Sequence, residues 1–187
     1  MQLYKYGFSK PAALLVLLTF LTLTACGEGS SGAASAALPL SDVQKIAALE
    51  ASGDIPKLDR SASIGGPDAN GNGVRDDVEA YITQKYPQAD QRAAVMQHAA
   101  AMQSALLVDK TNISAVKAVS VKSSRAVNCV FRKLDPSGDP TNTKPDAAID
   151  DVSALTTNTK ARLTAYLSYG RALSGSVLSV PVGNSCE

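Results

Sequence analysis

The chain has 187 residues, 18 of them basic and 17 acidic, with 5% aromatic residues and no tryptophan. A length of this order suits one domain. The near-balanced charge excludes the basic footprint of a nucleic-acid binder, so no nucleic-acid partner is expected.

The chain opens on a targeting segment. Lys5 and Lys10 supply a positive start, and residues from Pro11 to Ala25 are apolar or small and uncharged. This run is too short to span a bilayer comfortably but suits the apolar region of a signal peptide. It ends in Leu23-Thr24-Ala25-Cys26, which resembles the bacterial lipobox. The resemblance implies that Cys26 carries lipid and becomes the first residue of the mature protein after residues 1–25 are removed. Gly27 rather than aspartate after it implies, by analogy with lipoprotein sorting, the outer membrane of a two-membrane cell. Two or three acyl chains would anchor the protein stably. An ordinary signal peptide or a short membrane anchor is the plainer alternative. Loss of Lys5 and Lys10 leaves 16 basic residues against 17 acidic ones, a net charge of −1. Residues 26–40, rich in Gly, Ser and Ala, read as a flexible tether, and 41–187 as the folded domain.

The first element after the tether is a helix. Ser41-Asp42-Val43-Gln44 has the form of a capping box, and Val43, Ile46, Ala47 and Leu49 give a short apolar stripe up to Gly53. Residues 54–67, with Pro56, Gly65, Gly66 and Pro67, exclude a regular helix.

The next twelve residues, Asp68 to Glu79, carry the only pattern that specifies a chemistry. Asp68, Asn70 and Asn72 alternate oxygen-bearing side chains, Gly73 permits a sharp turn, Asp76 follows, and Glu79 closes the set with two oxygens. Val74 would add its backbone carbonyl. Ca²⁺ takes six to eight such oxygens at about 2.3–2.6 Å, so Ca²⁺ is the expected cofactor, and Asp68, Asn70, Asn72, Val74, Asp76 and Glu79 are its expected ligands. The segment resembles the EF-hand superfamily, most of all its thrombospondin type 3-like and dockerin-like bacterial loops. Arg75 departs from that pattern: it stands where regulatory EF-hands place the apolar residue that pairs two loops, so a lone loop–helix half is expected. Three acids and a neighbouring arginine imply a modest affinity, of the order of the 10⁻⁴–10⁻³ M of extracellular calcium modules. The plainer reading of the same residues is an Asn/Gly turn capped by aspartates. A wider stretch, from Ile55 through the Asn72 to Glu79 segment, resembles bacterial secreted or lipid-anchored proteins of unassigned role.

A helix leaves this loop with Asp76, Asp77 and Glu79 in its first turn, where acids suit the helix dipole. Val78, Tyr81, Ile82 and Lys85 share a face, and Pro87 stops it. A longer helix is predicted from Asp90 to Val108, buried along Val95, Ala99, Met102 and Leu106. Thr111 or Asn112 caps the next, whose stripe runs Ile113, Val116, Val119, Val127, Val130, Phe131 and Leu134, although the Val-rich Ala115–Val121 could also be a strand. Asp135 to Asp146, with Pro136, Pro140 and Pro145, reads as an exposed loop. Its alternating Asp135, Ser137, Asp139 and Thr141 lack the glycine and glutamate of a calcium loop. Asp150–Asp151 reads as a helix start, and the last helix spans Thr157 to Leu173 before an extended tail. The fold class is all-α, with four or five helices.

With Cys26 assigned to lipid, Cys129 and Cys186 remain as one pair, in a compartment that permits disulfides. A disulfide is the expectation and two buried thiols the alternative. The bond would stabilise by about 2–4 kcal/mol, useful to a domain with four tyrosines and one phenylalanine. His98, the only histidine, is expected at the surface or half-buried, and no nucleophilic or zinc constellation assembles around it. The Arg162, Tyr166, Tyr169 and Arg171 stripe suits a recognition surface or the edge of a core with snorkelling arginines. Together these features imply a calcium-binding, lipid-anchored envelope protein with a structural or interaction role, held to the membrane by lipid and open to a protein partner. The alternative is an envelope enzyme or enzyme subunit whose site the sequence does not display.

Overall fold

A computed structural model describes residues 41–177 and 182–187. The signal segment, Cys26 and the tether up to residue 40 lie outside the described residues. The described chain is all-helical: α1 (Asp42–Ser52), α2 (Asp76–Lys85), α3 (Ala89–Leu107), α4 (Ile113–Leu134), α5 (Lys144–Thr156) and α6 (Lys160–Ala172).

Local chemistry sets most of these boundaries. Ser41 Oγ accepts from the Gln44 backbone at 3.3 Å while the Gln44 side chain accepts from the Ser41 backbone at 2.8 Å, so the capping box is complete. Gly53 ends α1 in the left-handed region at φ 81°. Asn112, not Thr111, caps α4 through the Ala115 backbone at 3.0 Å. Thr159 caps α6 through the Arg162 backbone at 3.3 Å.

Six helices form where the sequence reading has four or five. The added one is α5. Pro145 sits in its first turn, where a missing N–H costs nothing and a fixed φ is already helical. The proline therefore opens a helix rather than extending the preceding loop, and Asp150 and Asp151 fall in mid-helix. The Val-rich Ala115–Val121 stretch is helical: Val116 and Ser120 are buried at helical spacing while Lys117, Ala118 and Val121 are exposed.

α3 is the axis of the domain and packs on α2, α4, α5 and α6. The main core joins Val78 and Ile82 of α2, Val95, Ala99 and Met102 of α3, Val130 and Leu134 of α4, and Val152 of α5. A second cluster seats Tyr169 of α6 on Ala105 and Val116. Each fully buried aliphatic side chain here removes about 1.5–3 kcal/mol worth of apolar surface from water.

Cys129 on α4 and Cys186 form a disulfide, with Cα atoms 5.0 Å apart. The tail it ties down is also hydrogen-bonded. Gln97 donates to the Ser185 carbonyl at 2.9 Å, Arg125 to Asn184 at 3.1 Å and Arg132 to Gly183 at 3.1 Å. Fifty-seven residues separate the two cysteines, so loop closure in the unfolded chain is worth about 4 kcal/mol on the entropic model.

His98 is not at the surface. It is 3% exposed on α3, and neither ring nitrogen has a hydrogen-bond partner among the described residues. Burial holds its pKa down at about 4, and the Ile149 backbone opposes this without reaching hydrogen-bond geometry. The imidazole is therefore a neutral core group. α3 buries side chains around most of its circumference, which leaves no outer face for the ring.

Candidate calcium loop and the buried arginines behind it

The loop begins where Asp76 N–H bonds the Pro67 carbonyl at 2.9 Å, closing the segment into a ring. Asp68 accepts the Asn72 and Gly73 N–H groups at 3.1 and 2.9 Å. Asp76 Oδ1 accepts from Ala69 N–H at 2.9 Å. Gly71 and Gly73 turn the chain through the left-handed region at φ 68° and 80°, which glycine enters without the Cβ penalty.

These turns bring three predicted ligand residues to one point. Glu79 Oε2, on the first turn of α2, accepts from the Asn70 and Asn72 side-chain amides at 3.0 and 2.9 Å. Val74 anchors the loop from below, its side chain 3% exposed within the main core. Among the described residues, no three His, Cys, Asp or Glu side chains gather as a metal site by themselves. A cation here needs the neutral oxygens of Asn70, Asn72 and the Val74 backbone beside the acids. The donor set fits that need in kind: hard carboxylate, amide and carbonyl oxygens on a short glycine-turned loop closed by Glu79. Each amide would have to present Oδ1 to the ion, and those oxygens now accept from the Asn72 and Val74 N–H groups at 3.1 and 2.8 Å, so ligation would share or replace these bonds as well as the Glu79 ones. With the amides as placed, the same bonds close a capped turn.

Arg75 does not face the loop. Its guanidinium turns into the domain and is wholly buried, paired with Asp77 through Nε at 2.5 Å and Nη2 at 2.9 Å. Nη2 also donates to the Leu155 carbonyl at the end of α5 at 2.9 Å. The expectation that Arg75 lowers affinity by lying beside the ion is therefore corrected: its charge is matched by Asp77.

A second buried arginine stands behind the first. Arg162 of α6 pairs with Asp59 at 2.5 Å and donates to the carbonyls of Asp59, Ser63 and Ile64 at 2.6, 2.9 and 3.2 Å. It is fully buried, so its head does not snorkel to water and it belongs to no recognition stripe. The Arg162 guanidinium holds the Asp59 carboxyl down at about 2, burial opposing. The Asp59 backbone donates to Asp77 at 2.7 Å, which joins the two ion pairs. Gln103 adds a hydrogen bond to the Gly65 carbonyl at 2.5 Å. The irregular segment 59–66 is thus held by α2, α3 and α6, and it delivers the chain to Asp68 in a fixed position. Buried charges need this completeness, since an unmatched one costs several kcal/mol.

Sequence reasoning did not find Asp59, Asp77, Arg75 and Arg162 as a unit. Arg162 and Asp59 are 103 residues apart, and no spacing pattern links them. The nearest signal was Gly66, at φ 66°, where a Cβ would overlap the Arg75 side chain.

A third polar cluster joins α2 to α5. Tyr81 donates to Asp151 at 2.9 Å, and the Lys85 ammonium donates to Asp151 and, at 2.7 Å, to Tyr81. Burial alone would lower the Lys85 pKa, but Asp151 and Tyr81 outweigh it and hold it raised. Burial also raises the Tyr81 pKa. Neither group is poised as a base near neutral pH, and the cluster is a clasp between helices. Asp135 and Asp139 cap their own turns through Ser137 and Thr141 at 2.8 Å each.

No protein-family model matches the chain, and neither a curated protein nor a solved structure matches it.

Proposed function

We propose that the protein is a calcium-binding, lipid-anchored protein of the cell envelope in which the ion is structural. The observation that carries the calcium reading is the convergence of Asn70 and Asn72 on Glu79 within a loop whose first acid, Asp68, already caps the turn. Asp68, Asn70, Asn72, the Val74 carbonyl, Asp76 and Glu79 would hold Ca²⁺. The bound ion would tie the start of the loop to the first turn of α2. The surrounding segment is fixed by buried ion pairs and Val74 is in the core, so the ion has little to rearrange. This supports stabilisation rather than a helix-opening switch, which needs a movable helix pair.

The anchor reading rests on Leu23 to Cys26 ahead of a Gly/Ser/Ala-rich tether. It places the domain at the envelope surface, in the outer membrane of a two-membrane cell, with its folded part free to meet a protein partner.

The test is thermal unfolding with and without calcium. A ligand that binds only the native state at ten times its Kd stabilises by about 1.4 kcal/mol. Millimolar calcium should raise Tm without changing helix content, and Glu79→Gln and Asp68→Ala should each remove most of the gain. An unchanged Tm on adding calcium or EDTA leaves the capped turn as the correct description. Mass spectrometry of the native protein checks the anchor: an unmodified Cys26 refutes it.

A further inference from the structure

The loop holds the same dipeptide twice, Asn70-Gly71 and Asn72-Gly73. Asparagine before glycine is open to self-modification. The backbone nitrogen of the next residue can close on the side-chain amide carbon, and glycine has no side chain to hinder it. Both glycines are left-handed, φ 68° and 80°, and both asparagines are exposed.

The two side chains are held alike. Asn70 Oδ1 accepts from the Asn72 N–H at 3.1 Å, and Asn72 Oδ1 from the Val74 N–H at 2.8 Å. Both amides donate to Glu79 Oε2, at 3.0 and 2.9 Å. At each asparagine a backbone N–H is therefore placed to stabilise the negative oxygen that forms when the amide carbon is attacked. The attacking nitrogens are not alike. Gly73 is half-buried, and its N–H donates to the Asp68 carboxylate at 2.9 Å. That bond must break before Gly73 N can react, and the carboxylate's charge opposes loss of the proton. Gly71 is exposed at the end of the Ala69–Asn70 turn, and its N–H meets hydrogen-bond geometry with no acceptor among the described residues.

We propose that Asn70 is a site of spontaneous deamidation and that Asn72, in the same dipeptide, is protected by Asp68. Gly71 N loses its proton to water and bonds to Asn70 Cγ. The Cγ–Nδ2 bond breaks, and that nitrogen takes a proton from water and leaves as ammonia. The cyclic imide then takes up one water. Opening at the new bond gives aspartate at position 70, and opening at the former peptide carbonyl gives the isoaspartyl linkage. Nothing is oxidised or reduced. The aspartate product sets a carboxylate against Glu79 where an amide donated, and adds a fourth acid to Asp68, Asp76 and Glu79. On the calcium reading above, and for this consequence alone, the added acid strengthens the cation site.

The test incubates the full chain in detergent at mildly alkaline pH with EDTA, folded and in urea. EDTA makes the result independent of the calcium reading. Tandem mass spectrometry of the tryptic peptide 61–75 follows the change from amide to acid at each asparagine. In the folded chain Asn70 should convert about tenfold or more faster than Asn72, the factor set by a hydrogen bond to a charged group. In urea, with both nitrogens solvated, the two rates should be alike. Asp68→Ala should bring Asn72 up towards the rate of Asn70 in the folded chain. Equal rates in the folded wild type, Asn72 leading, or a folded chain that stays unconverted while the unfolded one reacts would overturn the proposal. A gap that persists in urea would put the difference in the sequence rather than the fold, and that also overturns it, as does an Asn72 left slow by Asp68→Ala.

Discussion

Gly66 offers a sharp test of the buried arginine pairs, because another glycine serves as its control. Gly66 and Gly138 have nearly the same left-handed backbone, φ 66° and 67°. An alanine at either position meets a left-handed penalty of roughly 1–2 kcal/mol. At Gly138 that is the whole cost, since nothing lies within 4 Å of the added Cβ. At Gly66 the Cβ would overlap Arg75 Cδ, lie 2.9 Å from its Cγ and 3.1 Å from Arg162 Nη2. Arg75 is wholly buried and must move, which strains or breaks its pairing with Asp77. Breaking a buried ion pair costs about 3–5 kcal/mol. Gly66→Ala should therefore lose about 3 kcal/mol or more beyond Gly138→Ala. That is a further Tm drop of roughly 6–12 °C for a domain of this size. Urea unfolding of both variants, without calcium, measures the difference. Equal losses in the two would refute the claim that segment 59–66 is locked against the arginines.

His98 should make stability fall as the solution is acidified. Its pKa is about 4 in the fold against an ordinary 6.5, so the unfolded chain takes up the proton first. Stability present above about pH 6.5 is lost as pH falls toward 4, by up to about 3 kcal/mol; urea midpoints across that range should flatten in His98→Met, and a wild-type slope retained in the variant would contradict the assignment. Asp59 acts at lower pH: its carboxyl, near 2 in the fold against 3.8, contributes stability that is lost as pH falls from about 3.8 to 2. Asp59→Asn should remove that limb of the acid-unfolding curve. Cys186→Ser should cost about 4 kcal/mol or less in unfolding experiments and free the tail from Gln97, Arg125 and Arg132, which hydrogen exchange would report; two alkylatable thiols in unreduced wild-type protein would contradict the bond.

The helices that sequence reasoning located well are those with explicit punctuation. Ser41 and Gln44 announce α1, Pro87 stops α2, and the spacing of Val95, Ala99, Met102 and Leu106 gives the buried side of α3. The disulfide followed from counting three cysteines and setting one aside for lipid. α5 was hidden because Pro145 reads as part of a Pro/Gly/Ser loop unless its place in a first turn is known. His98 was misplaced because an Ala-rich helix lacks a clear polar face, so its circumference gives no clue to which side is covered. The two buried arginines were illegible for a different reason. A guanidinium carries no sign in sequence of whether it faces water or a carboxylate, and the partners of Arg162 come from a segment with no regular structure. The candidate calcium residues were legible as a spaced pattern. The convergence of Asn70 and Asn72 on Glu79, the turning of Asp68 and Asp76 onto backbone N–H groups, and the core anchorage of Val74 needed the fold.

Isothermal titration of the full chain with Ca²⁺ measures whether Asp68 to Glu79 binds calcium. One site per chain is expected, with Kd of the order of 10⁻⁴–10⁻³ M, weaker binding of Mg²⁺, and loss of the signal in Glu79→Gln. No heat of binding up to several millimolar calcium, or binding that survives both Glu79→Gln and Asp68→Ala, would contradict it.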